Sequence, residues 1–192
     1  MAKNWGRCDL KQLQKLRDNL AKLQSADLDK FCRDVSKELA ARLLALVIPR
    51  TPVGDYSKEV TVTAKRDGKH HKKGDTYTKR VTPSGKKGGT LRRGWTAKTE
   101  QEAAGGSGSG KNGAQAYAQS LPVSKQGGSY VIEVINPVHY ANYVEFGHRT
   151  PSGKGWVPGQ YFLTLSEQEL RGLAPGIIEE KLERLLREVF NV

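Results

Sequence analysis

The chain has 192 residues, enough for one domain of ordinary size with an appended loop or tail. Only 36% of its residues are apolar, its mean hydropathy is −0.62 and it holds 21 glycines, so part of it is expected outside the packed core as long loops. No run approaches the roughly 18 to 20 apolar residues of a membrane span, and the opening Met-Ala-Lys-Asn-Trp-Gly lacks a signal-peptide core, so the chain reads as cytosolic when made, with no membrane partner.

Leu10, Leu13, Leu16, Leu20 and Leu23 recur at spacings of three and four, which predicts an amphipathic helix over residues 9–24. The stripe covers only two heptads, so a core or docking face is a simpler reading than a zipper. Ser25 or Asp27 caps a second helix through Phe31, Val35, Leu39, Leu43 and Leu46, and Pro49 with Pro52 ends it near Ile48. Residues 60–64 and 76–82 alternate as strands around Arg66-Asp67-Gly68-Lys69-His70-His71-Lys72-Lys73-Gly74, a basic β-hairpin or extended arm. Loop follows over 83–89, and 95–102 reads as a strand opening after Gly94.

The Gly/Ser composition of 105–113 predicts a flexible loop across 103–114. Residues 117–123 and 129–135 read as paired antiparallel strands turned at Gln126-Gly127-Gly128. Residues 138–146 read as a short helix ended by Gly147. The helical part 161–190 reads as two pieces, 161–173 and 176–190, broken at Pro175. Helices, then strands, then helices predict an α+β fold in a single domain over 1–192. In it a short antiparallel sheet packs against the long helix of the N-terminal part (9–48) and the C-terminal helices, and the basic arm 55–88 is inserted.

The formal net charge of +12 is concentrated in one place. Residues 55–93 hold twelve Lys or Arg against four acids, which accounts for +8 of it. The two cysteines, Cys8 and Cys32, show neither CxxC nor metal-knuckle spacing and read as reduced thiols.

Several segments together resemble the small tail-component proteins of long-tailed bacteriophages, a family grouped with neck and tail-completion proteins. A long helix ends in Thr51-Pro52-Val53-Gly54. Gly89-Thr90-Leu91-Arg92-Arg93-Gly94-Trp95 is similar to the family's Gly-Xaa-Leu-Arg segment leading into a strand. Tyr140-Ala141-Asn142-Tyr143-Val144-Glu145-Phe146-Gly147-His148 is similar to its Tyr-Ala-Xaa-Tyr-Val-Glu-Xaa-Gly signature, and Pro158-Gly159-Gln160-Tyr161-Phe162-Leu163 opens the next helix. The resemblance spans about residues 28–173, and order and combination carry it. In the family the Thr-Pro-Val step runs almost directly into the Gly-Xaa-Leu-Arg segment, so residues 55–88 are an insertion.

Read for chemistry, the stretch 140–149 assembles no set of acid, base and nucleophile around a pocket, so no catalytic residue is assigned and the chain is read as not an enzyme. His70 and His71 adjoin lysines, and His139 and His148 stand apart, so no metal site and no cofactor are expected. Neither glycine-rich stretch has the Gly-x-x-x-x-Gly-Lys-Ser/Thr of a nucleotide loop.

The resemblance implies a virion protein assembled in the host cytoplasm: a ring subunit, sixfold by analogy, at the head-tail junction. Its partners would be its own copies, neighbouring neck and tail-tube or terminator proteins, and the packaged DNA. Candidate subunit-interface residues are Tyr140, Tyr143, Glu145, Phe146, Gly147, Arg92 and Arg93. Candidate contacts to DNA or an acidic partner are Lys65, Arg66, Lys69, Lys72, Lys73, Lys79, Arg80, Lys86 and Lys87, through counterion release or charge pairing. A basic DNA-binding accessory protein is the alternative. The arm and the Gly/Ser loop are expected to order on contact with the next subunit.

Overall fold

The computed structural model describes residues 14, 15, 17, 18, 25–83, 88–106 and 111–190. Within them the order is α1 (Ser25–Arg50), β1 (Lys58–Thr63), β2 (Thr76–Val81), α2 (Thr90–Gly94), α3 (Glu100–Gly105), α4 (Lys111–Ser120), β3 (Val123–Gln126), β4 (Ser129–Ile132), α5 (Ala141–Phe146), β5 (Gly147–Arg149), β6 (Trp156–Pro158) and α6 (Phe162–Phe190). The fold is α+β, with three separate two-stranded antiparallel sheets. Two compact units are formed, one from the described parts of 1–45, 114–134 and 164–192, the other from those of 46–113 and 135–163.

In the first unit, α1 buries Val35, Ala40 and Leu44. Leu39 and Leu43, expected on that face, sit half-buried on its shoulders. Ala114 and Ala118, four residues apart on one face of α4, are buried, as is Ser166 of α6. The β3–β4 hairpin is held to α1 by a polar cluster centred on Asp29. Tyr130 Oη donates to Asp29 Oδ1 at 2.6 Å, and Arg33 Nε donates to Oδ2 at 2.6 Å. Lys125 Nζ stands 3.5 Å from Oδ1. Arg33 Nη1 also donates to Val123 O at 2.7 Å, and Lys37 Nζ to Gln119 O at 2.9 Å, so one helix face supports the whole α4–β3 junction.

The second unit is built around the last turn of α1. Thr51 is fully buried; its N–H and its Oγ1 both donate to Val47 O, at 2.9 and 2.7 Å. Trp95, also buried, donates through Nε1 to Thr51 Oγ1 at 2.8 Å and meets Phe162 edge-on, ring centroids 6.2 Å apart. Val47, Leu91, Ala97, Ala103 and Val138 complete this core. Gly94 is required there, because a Cβ would collide with the side chain of Asn136, whose Nδ2 donates to Leu91 O at 2.8 Å.

Several expectations are corrected. Residues 95–102 are not a strand: Thr99 caps α3, accepting from Glu102 N at 3.3 Å, while Glu102 Oε2 accepts from Lys98 N at 2.8 Å. This variant of the capping box, in which the glutamate reaches the residue before the cap, favours a helix start over β pairing. The Gly-Xaa-Leu-Arg segment is itself the short helix α2 rather than a lead into a strand. Residues 117–120 belong to helix α4, whose small Ala114 and Ala118 bury against the core, and the strand begins only at Val123.

The loop expected over 103–114 is helical at both flanks, with Ala103 and Ala114 buried; residues 107–110 lie outside the described residues. α6 runs unbroken through Pro175, which removes a single hydrogen bond to the carbonyl four residues earlier while the helix continues on both sides. α1 extends to Arg50, with Pro49 in its last turn. Among the described residues the antiparallel strands pair as three separate two-stranded sheets. The first predicted helix lies outside the described residues apart from 14, 15, 17 and 18, which are helical.

The hydrogen bond from Tyr130, then that from Arg33, with the charges of Arg33 and Lys125 adding, lower the Asp29 carboxyl from 3.8 to about 2. A lowered carboxylate pKa contributes stability that is complete above the unfolded value and is lost as pH falls through the folded one. Asp29→Asn is therefore expected to unfold more readily than wild type at neutral pH, with the difference closing between about pH 4 and pH 2. Urea unfolding at a series of pH values checks this; a difference independent of pH would contradict it.

Candidate functional site

The signature stretch 140–148 forms a compact helix-to-strand turn. Tyr140 precedes α5, and Val144 N–H donates back to Tyr140 O at 3.2 Å. Gly147 ends the helix at φ 87, ψ 169, a region open essentially only to glycine, and its N–H donates to Tyr143 O. A Cβ there would also run into the Val157 carbonyl of β6, so the pairing of β5 with β6 depends on the glycine twice over.

Glu145 points inward. It is 3% exposed, and its Oε2 accepts from Leu163 N–H at 3.0 Å in the first turn of α6, where helix N–H groups have no intrahelical partner. The adjoining backbone is tied as well: Gln160 N–H donates to Val144 O and Tyr161 N–H to Glu145 O, at 2.9 and 3.1 Å. Tyr161 is the one described non-glycine residue at positive φ, 51°. The signature glutamate thus fixes where the C-terminal helix starts.

Two aromatic residues of the same stretch turn outward. Tyr143 is 58% exposed and Phe146 56%, and Tyr143 lies edge-on to His148 with centroids 6.0 Å apart. Trp156 of β6 is 60% exposed, and Val157 and Tyr161 are also exposed. Residues 143–161 therefore carry five large exposed apolar side chains on one supersecondary unit, a concentration that marks interaction surfaces. Trp156 was not singled out from sequence; its position between Gly155 and Val157-Pro158 was the available signal, a tryptophan in a stretch with no helical or buried-strand pattern.

Arg92 and Arg93 serve the fold. Arg92 donates through Nε and Nη2 to Thr51 O, at 3.0 and 2.7 Å, and through Nη2 to Pro49 O at 3.1 Å, placing a cation on the carbonyls at the end of α1. Arg93 donates to Ala103 O at 2.7 Å and Gly88 O at 3.0 Å, bracing α3 and the return of the inserted arm. Tyr140 is partly buried, which, with the nearby Tyr56 and Glu100, raises its hydroxyl above the ordinary value despite hydrogen bonding to Thr90 and Leu91. It borders a cleft of about 330 Å³ with Tyr56, Thr90, Leu91, Val144 and Gln160. Tyr56 and Tyr140 are the titratable groups among the lining residues.

The inserted arm is a formed hairpin in the single chain, with six residue pairs in register from Lys58↔Val81 to Thr63↔Thr76. Its tip is organised by its own acids: Asp67 Oδ1 accepts from Lys73 N–H at 2.8 Å and Asp75 Oδ2 from Lys72 N–H at 2.7 Å, while Gly68 N–H donates to His71 O. His71 stacks on Tyr77 with centroids 4.1 Å apart. Lys65, Arg66, Lys69, Lys72 and Lys73 are exposed around this tip. Lys79 and Arg80 lie on β2, where Arg80 stands 3.8 Å from Glu59 and 4.0 Å from Asp55. Lys86 and Lys87 lie outside the described residues. The arm leaves and re-enters at one point, Gly88 sitting so close to Gly54 that a Cβ on it would strike the Gly54 carbonyl.

Among the described residues no group of three or more His, Cys, Asp or Glu could hold a metal ion, and no helix is long and apolar enough to cross a membrane.

The signature motif thus anchors a helix inward through Glu145 and leaves Tyr143 and Phe146 exposed. The family model described as "Bacteriophage HK97-gp10, putative tail-component" matches residues 14–147, a stretch that includes the Thr51 step, the Gly-Xaa-Leu-Arg segment and the signature through Gly147. The chain belongs to this family of phage tail components. Comparison with curated proteins and with solved structures finds no match.

Glu145→Ala removes a buried acceptor from the start of α6 and is expected to cost about 1–3 kcal/mol of stability, while Glu145→Gln, which keeps an acceptor, costs less. Urea denaturation of both variants checks this; equal losses would place the effect in the carboxylate charge instead of the acceptor at the helix start.

Proposed function

We propose that the chain is a structural virion subunit that closes with its own copies into a ring, sixfold by family analogy, at the junction of head and tail. It acts there in tail completion, bound to neighbouring neck and tail-tube or terminator proteins and assembled in the host cytoplasm. The role is assembly and not turnover. The observation that carries this reading is the division of labour in the signature stretch, whose glutamate is spent inside the fold while Tyr143 and Phe146 remain outside. Exposed aromatics on a rigid turn suit repeated, oriented packing better than diffusible substrate capture.

A cryo-electron-microscopy reconstruction of the particle tests this. Ring density for the chain between portal and tail tube is the expected result, and absence of the chain from the particle would overturn the reading.

The second reading, a basic DNA-binding accessory protein, draws on one feature of the arm. Asp67 and Asp75 bond to backbone N–H groups, while the five tip cations stay exposed. If each engages a phosphate, the logarithm of affinity for duplex DNA falls against the logarithm of salt with a slope of about −4.5. Replacing Lys69, Lys72 and Lys73 with glutamine would then flatten the slope by about 2.7. Fluorescence anisotropy with a labelled duplex measures it; salt-insensitive or absent binding removes this reading.

A further inference from the structure

The cations of the β1–β2 hairpin fall into two groups. At its base Arg80 stands beside Glu59 and Asp55, with Lys58 and Lys79 on the same strands. At its tip, residues 65–75 are all exposed and hold Lys65, Arg66, Lys69, Lys72 and Lys73 against Asp67 and Asp75. Both tip acids are turned to the backbone, Asp67 toward Lys73 N–H and Asp75 toward Lys72 N–H. Among the described residues the ion pairs of the hairpin are those of Arg80, and no tip cation stands in one. Five cations against two acids leave an excess of +3 at the end of strands that span about 20 Å.

We propose that this tip is a sequence-independent contact for the phosphate backbone of duplex DNA. The inference rests on the DNA-binding reading and fixes its site and the form of nucleic acid; it holds for a ring subunit as well as for a free accessory protein. Composition decides against an acidic protein. Protein interfaces are built on aromatic, methionine and arginine anchors and are poor in lysine, whereas four of the five tip cations are lysines and no large apolar residue stands among 65–75. Phosphate contacts need charge alone. Lysine ammonium groups are point charges without the planar fork of arginine, so the contact follows the backbone and not the bases.

The form of the nucleic acid follows from the rings. Single strands are gripped by stacking their bases on free aromatic faces. The tip has no Phe, Tyr or Trp, and His71 already lies against Tyr77 with ring centroids 4.1 Å apart. A two-stranded ribbon is narrow enough for the major groove of a duplex, where phosphates flank it on both sides. The acids that leave the cations free also fix the turn, together with the bond from Gly68 N–H to His71 O, so the charges are presented already ordered.

Fluorescence anisotropy of the full chain with a labelled duplex, and with one of its strands alone, tests this across a salt series. A tip variant, Lys65→Gln/Lys69→Gln/Lys72→Gln/Lys73→Gln, is set against a base variant, Lys58→Gln/Lys79→Gln, each folded by circular dichroism. The tip variant is expected to flatten the log–log salt slope of duplex affinity by about 3.6, and the base variant by less than about 1. The duplex is expected to bind at least about tenfold more tightly than the single strand, and polyglutamate at equal charge to displace little of it. Equal flattening by base and tip variants, a single strand bound as tightly as the duplex, or displacement by polyglutamate as complete as by unlabelled duplex would each overturn the proposal. Duplex binding whose slope the tip variant leaves unchanged overturns the site while the DNA-binding reading stands. No duplex binding by the wild type removes both.

Discussion

The second unit depends on one side chain, Thr51, at the point where α1 stops. Its hydroxyl donates back to Val47 O and accepts from the Trp95 indole, and its carbonyl receives the Arg92 guanidinium, so one residue of no great size satisfies three demands in a place closed to water. A buried indole N–H or a helix-end carbonyl without a partner costs more than most packing contacts supply. With Thr51 in place, Trp95 can lie edge-on to Phe162, the first residue of α6, and Glu145 can hold the next N–H of that helix. A residue at the end of one long helix and a residue in the family signature therefore fix the start of the other, through a tryptophan between them.

Much of this was legible in the sequence, for reasons that can be named. The long helix, the basic hairpin, the Gln126-Gly127-Gly128 turn and the helix before Gly147 follow from local rules, periodicity and turn chemistry, and local rules govern them in the structure. Where the reading failed, a local signal was weighed wrongly or a nonlocal one was missing. Thr99-Glu100-Gln101-Glu102 is a capping-box sequence, yet the β-branched and aromatic residues ahead of it suggested a strand. Glycine and serine before Ala114 suggested a flexible coil, whereas the small residues of α4 serve burial. Pro175 suggested a break, but a helix that continues on both sides tolerates one missing hydrogen bond.

The candidate site was legible in its residue types and not in their directions. Arg92 and Arg93 carry the charge expected of an interface, yet both guanidinium groups are occupied by backbone carbonyls of their own unit. Glu145 is likewise directed inward, while its neighbours Tyr143 and Phe146 point out. Helical spacing separates such neighbours onto different faces, but which face meets the core depends on where α6 arrives, and that is decided by contacts distant in sequence. Trp156 is a further case, since its irregular flanks mark a residue outside the regular core elements but not the direction in which it points.

The near-contact of Gly54 with Gly88 has a consequence for how this chain came to be. A segment whose two ends meet can lengthen, shorten or vanish without moving Thr51 on one side or Leu91 and Arg92 on the other, because closing a longer loop costs only about 0.6 kcal/mol per doubling. Gly88 at the seam lets the two backbones approach where a side chain on it would hold them apart. The core is thus insulated from the history of the inserted arm, and the arm is free to diversify.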